Sequence, residues 1–84
     1  MLDSIAIRQT IVSVINKVRT DSGRDVIEPK DDDALTVEMG LDSIDLAQLV
    51  VALEKELGVD PFRDGSARAR TLGELTAVYE KATA

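Results

Sequence analysis

The 84-residue chain has no cysteine and no histidine. Without cysteine there is neither a disulfide framework nor a thiolate metal site. Without histidine the commonest general base and metal ligand is missing, which argues against an unaided hydrolase or metalloenzyme. No apolar run is long enough to cross a bilayer. The opening residues Met1-Leu2-Asp3-Ser4 lack the basic and apolar regions of a signal peptide, so the expectation is a cytoplasmic protein with no membrane insertion. A chain this short is expected to form one domain, residues 1–84, around a small core.

What is present is acid, and it is unevenly placed. The net charge is −6 overall, but residues 25–60 hold eleven acids against two bases, a net −9. Such a field repels nucleic acid and anionic lipid and steers toward basic protein surfaces. The alternative is that the acids only keep a small protein soluble.

Asp3-Ser4 can cap a first helix running to about Arg19, in which Ile7, Ile11, Val14, Ile15 and Val18 recur at helical spacing. Asp21-Ser22-Gly23 stops it. A long connection follows from Arg24 to Gly40, with Val26, Ile27, Leu35, Val37 and Met39 as candidate apolar pins. The Asp31-Asp32-Asp33 run does not fit a calcium loop, because that register needs an oxygen ligand where Leu35 stands and glycine at Thr36. It reads as solvated loop, and no metal site is expected.

The spacing predicts a second helix from Ser43 to about Leu57, stopped by Gly58. Leu46, Leu49, Val50, Leu53 and Leu57 fall on its core side; Ile44, Ala47 and Val51 form a second stripe among Gln48, Glu54 and Lys55, placed to dock a partner. Asp60-Pro61 opens an irregular stretch with at most a short helix, anchored by Phe62. Thr71-Leu72-Gly73-Glu74 matches a capping box before a last helix that uses Leu72, Leu75, Val78, Tyr79 and Ala82. The fold class is therefore all-α, a four-helix bundle with a long first loop and a short third helix.

The stretch Met39-Gly40-Leu41-Asp42-Ser43-Ile44-Asp45-Leu46 stands out. Asp42 or Ser43 can serve as N-cap, and either way the Ser43 hydroxyl lies at the positive end of a helix beside a glycine-containing loop. A phosphate ester is favoured there by the dipole and the unpaired amides. A serine in this place can also do nothing more than cap.

From Ile5 to Tyr79 the order of elements resembles the acyl carrier protein family, which includes peptidyl carrier domains. The most specific match is Leu35-x-x-x-Met39-Gly40-x-Asp42-Ser43-Ile44, similar to the family's apolar-x-x-x-Leu-Gly-x-Asp-Ser-Leu signature. The resemblance implies a bundle of acyl-carrier type in which Ser43 bears covalent 4′-phosphopantetheine, added from coenzyme A by a Mg-dependent phosphopantetheinyl transferase. The arm would supply the thiol that a cysteine-free chain lacks. Further implied partners are an acyl- or aminoacyl-loading ligase and a downstream acyltransferase or synthase, met by a monomer.

The resemblance also places Asp42, Ile44, Asp45, Val51 and Glu54 at partner-binding positions, to which the second stripe adds Ala47, and Leu46, Val50 and Leu53 along an acyl pocket. Gln48 and Lys55 stand where fatty-acid carriers place acids, and the stretch from Arg63 to Arg70 is unusually basic. These departures favour a freestanding carrier for a specialised lipid, polyketide or related acyl group over housekeeping fatty-acid synthesis. An aminoacyl or peptidyl carrier for an adenylating ligase is the alternative, and an unmodified helical adaptor is a third. An enzyme with Ser43 as nucleophile fits worst, since Leu41 breaks the elbow pattern and no histidine is available.

Overall fold

A computed structural model describes residues 3–63, 65 and 67–83. Three helices occur among them: α1 (Ser4–Asp21), α2 (Ser43–Leu57) and α3 (Leu72–Thr83). The longest, α1, packs against both of the others. Its five expected core residues, Ile7, Ile11, Val14, Ile15 and Val18, are all buried. The core continues through Leu49 and Leu53 of α2 and Leu72, Leu75 and Tyr79 of α3.

Helix ends follow from local chemistry. Asp3 caps α1 by accepting from the Ala6 N–H at 2.8 Å. At its C-terminus the Gly23 N–H reaches Thr20 O and the Arg24 N–H reaches Arg19 O at 2.9 Å. This pair of bonds is a Schellman motif, and it requires the left-handed Gly23 (φ 82). The chain leaves α1 reversed, with Arg24 aimed back toward the rest of the molecule. At α3 the Thr71 hydroxyl accepts from the Glu74 N–H at 3.2 Å, while the Glu74 carboxylate takes the N–H of Arg70, one residue earlier than a standard capping box.

The long connection is held down mostly by polar side chains of α1. Asn16 makes a two-way amide pair with the backbone of Ile27, its Nδ2 donating to Ile27 O at 2.9 Å and its Oδ1 accepting from Ile27 N–H at 2.8 Å. Arg8 bonds Asp31 at 2.8 Å and Pro29 O at 3.1 Å. Further on, an isolated antiparallel bridge joins Ala34 to Thr71, through Leu35 N–H to Arg70 O and Leu72 N–H to Asp33 O. Of the expected apolar pins, Leu35 and Met39 are buried and Ile27 packs at the core's edge, whereas Val26 and Val37 stand 67% and 78% exposed. Leu41, not among the expected pins, is buried.

The described residues do not show the short third helix that sequence spacing allowed. Residues 61–63 form a turn in which Asp60 Oδ1 accepts from the Phe62 N–H at 3.1 Å. The Asp60 side chain closes this turn, and the left-handed Gly65 (φ 75) interrupts a helical run just beyond it. Asp64 and Ser66, also within the expected helix, lie outside the described residues. Phe62 anchors the turn by an edge contact with Tyr79, ring centroids 6.1 Å apart. The four-helix expectation is therefore met only as far as its helical class.

Candidate functional site

The geometry at the start of α2 settles which residue caps. Asp42 is the N-cap, and its Oδ1 accepts from the Asp45 N–H at 2.8 Å. Asp45 returns the bond, its Oδ2 accepting from the Asp42 N–H at 3.2 Å. This is a capping box built from two aspartates. Ser43 is consequently the first helical residue, exposed, and among the described residues nothing in the chain hydrogen-bonds its hydroxyl. The N–H groups of Ser43 and Ile44 likewise find no acceptor among the described residues, as expected of donors in a first turn.

The loop in front of Ser43 is fixed from behind. Met39 and Leu41 are buried, and between them Gly40 takes a left-handed φ of 69. The Arg19 guanidinium donates to Met39 O and the Arg24 guanidinium to Gly40 O. A Cβ on residue 40 would stand 3.1 Å from Arg24 Nη1, so glycine serves both the turn and the close approach. Arg24 also pairs with Asp45 Oδ2 at 2.6 Å.

This last contact corrects the expectation for Asp45 as a partner-facing acid. Its side chain is only 9% exposed and turns inward, held by the Asp42 N–H, Arg24 and, at 3.4 Å, the Ser22 hydroxyl. The Asp42 backbone donor holds the Asp45 carboxyl below its ordinary range; burial opposes this, and Arg24 and Ser22 reinforce it. The Asp42-x-x-Asp45 spacing was the signal for the inward role, visible once aspartate is accepted in place of Glu or Gln at the third helical position.

The other expected site residues divide cleanly. Ile44 and Val51 are exposed at 67% and 56%, and Ala47 is exposed with them, so all three stand on the outer face of α2. Glu54 is half-exposed and pairs with Arg63 at 3.2 Å. Leu53 is fully enclosed in the core, with Leu46 and Val50 half-buried beside it. A groove of about 500 Å³ lies on the outer seam of α1 and α2, lined by Val14, Ala47, Val51 and Ala52. Among the described residues no cluster of acids is arranged to hold a metal ion, and no helix is long and apolar enough to cross a membrane.

These features fit a prosthetic group joined through a phosphate. The hydroxyl is exposed and uncommitted, unpaired amides lie beside it, and the backbone leading to it is held firmly. No solved structure matches the chain. A family model does: the one described as phosphopantetheine attachment site aligns with residues 6–78, nearly the whole length. The chain therefore belongs to the phosphopantetheine attachment-site family, consistent with an acyl carrier protein, a carrier domain to which 4′-phosphopantetheine is joined covalently through a serine.

Proposed function

We propose that Ser43 is the attachment residue and that the protein is a carrier of acyl groups for a specialised lipid, polyketide or related pathway. The observation that carries this reading is the division of labour at the start of α2. Asp42 caps the helix, so the neighbouring hydroxyl is not needed for folding and stays accessible. On loading, Ser43 Oγ gives up its proton, forms a bond to the phosphorus nearer pantetheine in coenzyme A, and 3′,5′-ADP departs. The amides of Ser43 and Ile44, at the positive end of the helix, would hold the phosphodiester. The arm supplies a thiol, at which an acyl group is held as a thioester.

The chain's own residues present the cargo and do no bond-breaking on it. Ile44, Ala47 and Val51 offer an apolar strip next to the attachment point, and the exposed Asp42 adds charge. An acidic surface meeting basic partners gives fast encounter with rapid release, which a carrier visiting a transferase, a loading ligase and a downstream acyltransferase or synthase requires. The acidic centre and Asp42 before Ser43 favour an acyl over an aminoacyl group.

The test is loading. The chain is incubated with coenzyme A, Mg²⁺ and a broad-specificity phosphopantetheinyl transferase, and intact masses are compared with those of Ser43→Ala. Addition of one phosphopantetheine to the unmodified sequence and none to the folded variant is the expected result. Equal addition to both places the attachment elsewhere, and addition to neither, with both folded, returns the chain to a helical adaptor.

A further inference from the structure

Resting on Ser43 as the attachment residue, we infer that the arm lies back along its own helix in the groove between α1 and α2, and that the cargo it brings to the far end is a short, oxygenated acyl group.

The tether and the groove share a line. Ser43, Ala47, Val51 and Lys55 succeed one another at every fourth position of α2, one stripe of the helix surface. Ala47, Val51 and Lys55 of this stripe line the groove, and Ala52 and Val14 of α1 complete its apolar floor. Val51 lies about 12 Å along the axis from Ser43 and Glu56 about 20 Å, at about 1.5 Å per residue. Ser43 is exposed, and Ala47, which lines the near end of the groove, follows it by one helical turn.

The chemistry of the lining matches the arm. Pantetheine alternates a geminal dimethyl group with amides, and the apolar floor is rimmed by Gln48, Lys17, Lys55 and Glu56, which supply both donors and acceptors. Charges of both signs face the groove, Lys17 being already paired with Asp21 at 3.4 Å, so no net field selects a charged occupant. A volume of about 500 Å³ lies in the range of small-molecule sites.

Beyond Val14 the lining changes character. The groove passes into a second cavity of about 410 Å³ in which Gln9, Thr10 and Ser13 join the apolar Ala6 and Val14. A group held there by an arm laid along the apolar stretch meets amide and hydroxyl side chains. The Thr10 hydroxyl already donates to Ala6 O at 2.9 Å, so a hydroxyl or keto oxygen finds its donors in the Gln9 amide and the Ser13 hydroxyl, which a long alkyl chain leaves unused.

The test uses the full-length chain labelled with ¹⁵N and loaded by the transferase from coenzyme A or β-hydroxybutyryl-coenzyme A, loading being verified by intact mass. Amide shifts are compared with the unloaded chain. The inference expects concentration-independent shifts at Val14, Lys17 and Ala52 on loading, extending to Gln9 and Ser13 with the hydroxyacyl group. Shifts confined to the neighbours of Ser43, or running instead to Leu46, Leu53 and Tyr79, overturn it. Shifts on α1 that appear only when the transferase is present also overturn it, because the groove is then a protein-docking face. Failure to load at all defeats the attachment reading itself, and is seen in the mass before any spectrum is recorded.

Two substitutions supply an independent readout. Ala52→Leu fills the floor, and Ser13→Trp blocks the far end from an exposed position outside the core. If the groove is occupied about nine-tenths of the time, each raises hydroxylamine cleavage of the thioester up to about tenfold. Cleavage rates unchanged in both folded variants overturn the inference.

Discussion

Arg24 and Asp45, brought together at 2.6 Å, join the turn after α1 to the first turn of α2. The Schellman motif at Gly23 sets the direction of Arg24, and the capping box sets that of Asp45. Between them the same guanidinium grips Gly40 O, three residues before Ser43. The loop before Ser43 is thus clamped by a contact that never touches the Ser43 hydroxyl.

Removing either partner should loosen that clamp. Arg24→Ala is expected to lower the unfolding midpoint and to speed amide exchange at Gly40, Leu41 and Asp42, with Arg24→Lys recovering only part because it cannot reach two acceptors as a fork. Acid should act on the same point. The Asp45 carboxyl sits below its ordinary value of 3.8, so its contribution is present above that value and lost as pH falls through the lower folded-state value. Urea midpoints measured down this pH range should fall less steeply for Asp45→Asn than for the unmodified chain.

Asp42 has a separable role. Asp42→Ala removes the side-chain acceptor of the Asp45 N–H and should cost about 1 kcal/mol, while Asp42→Ser restores most of it. The consequence for loading is the more telling measurement. With Asp42 gone, the Ser43 hydroxyl becomes the nearest replacement cap, so transferase-catalysed addition should slow in Asp42→Ala beyond what its stability loss explains, and recover in Asp42→Ser. Equal loading rates in the two variants would mean that capping and attachment do not compete.

Asn16 tests whether the long connection is held by polar contacts. Its side chain satisfies both backbone groups of Ile27, and the site is partly buried. Asn16→Ala strands a donor and an acceptor together and should destabilise by about 2 kcal/mol, read from a denaturant midpoint. Val26→Ser, at a neighbouring position 67% exposed, should change stability by less than about 0.5 kcal/mol.

The contrast between Asn16 and Val26 marks the limit of what the sequence discloses. Apolar residues at helical spacing identified α1, the span of α2 and, through Leu72, Leu75 and Tyr79, most of the buried face of α3, because periodic burial leaves a periodic pattern; Ala82, also expected there, is exposed, and Thr76 is buried in that face. The long loop has no period, so apolarity alone pointed to Val26 and Val37, which face outward, and passed over Leu41, which is buried. Pairings such as Arg8 with Asp31 or Arg24 with Asp45 span more than twenty residues and have no local signature. At the candidate site, the serine and its glycine-containing approach were legible; the inward turn of Asp45 left only the Asp42-x-x-Asp45 spacing as its signal, easily missed because an acid amid acids reads as surface.

Tyr79 offers the sharpest pH signature. It is the chain's one tyrosine, it is wholly buried, and its hydroxyl finds no hydrogen-bond partner among the described residues. Burial, with smaller contributions from Asp60 and Glu54, pushes its pKa up from 10.0 to about 12. Between those values the unfolded chain has released its phenolic proton and the folded chain has kept it, so stability is undiminished below the unfolded value and declines as pH climbs toward about 12. Phenolate absorbance should therefore rise only near the folded-state value or on alkaline unfolding, with no step at the pKa of free tyrosine. Tyr79→Phe removes a desolvated hydroxyl that has nothing to bond, and should leave stability at neutral pH unchanged or about 1 kcal/mol higher. A loss of more than about 1 kcal/mol in that variant would show that the hydroxyl has a partner after all, since only a bonded group costs that much to delete.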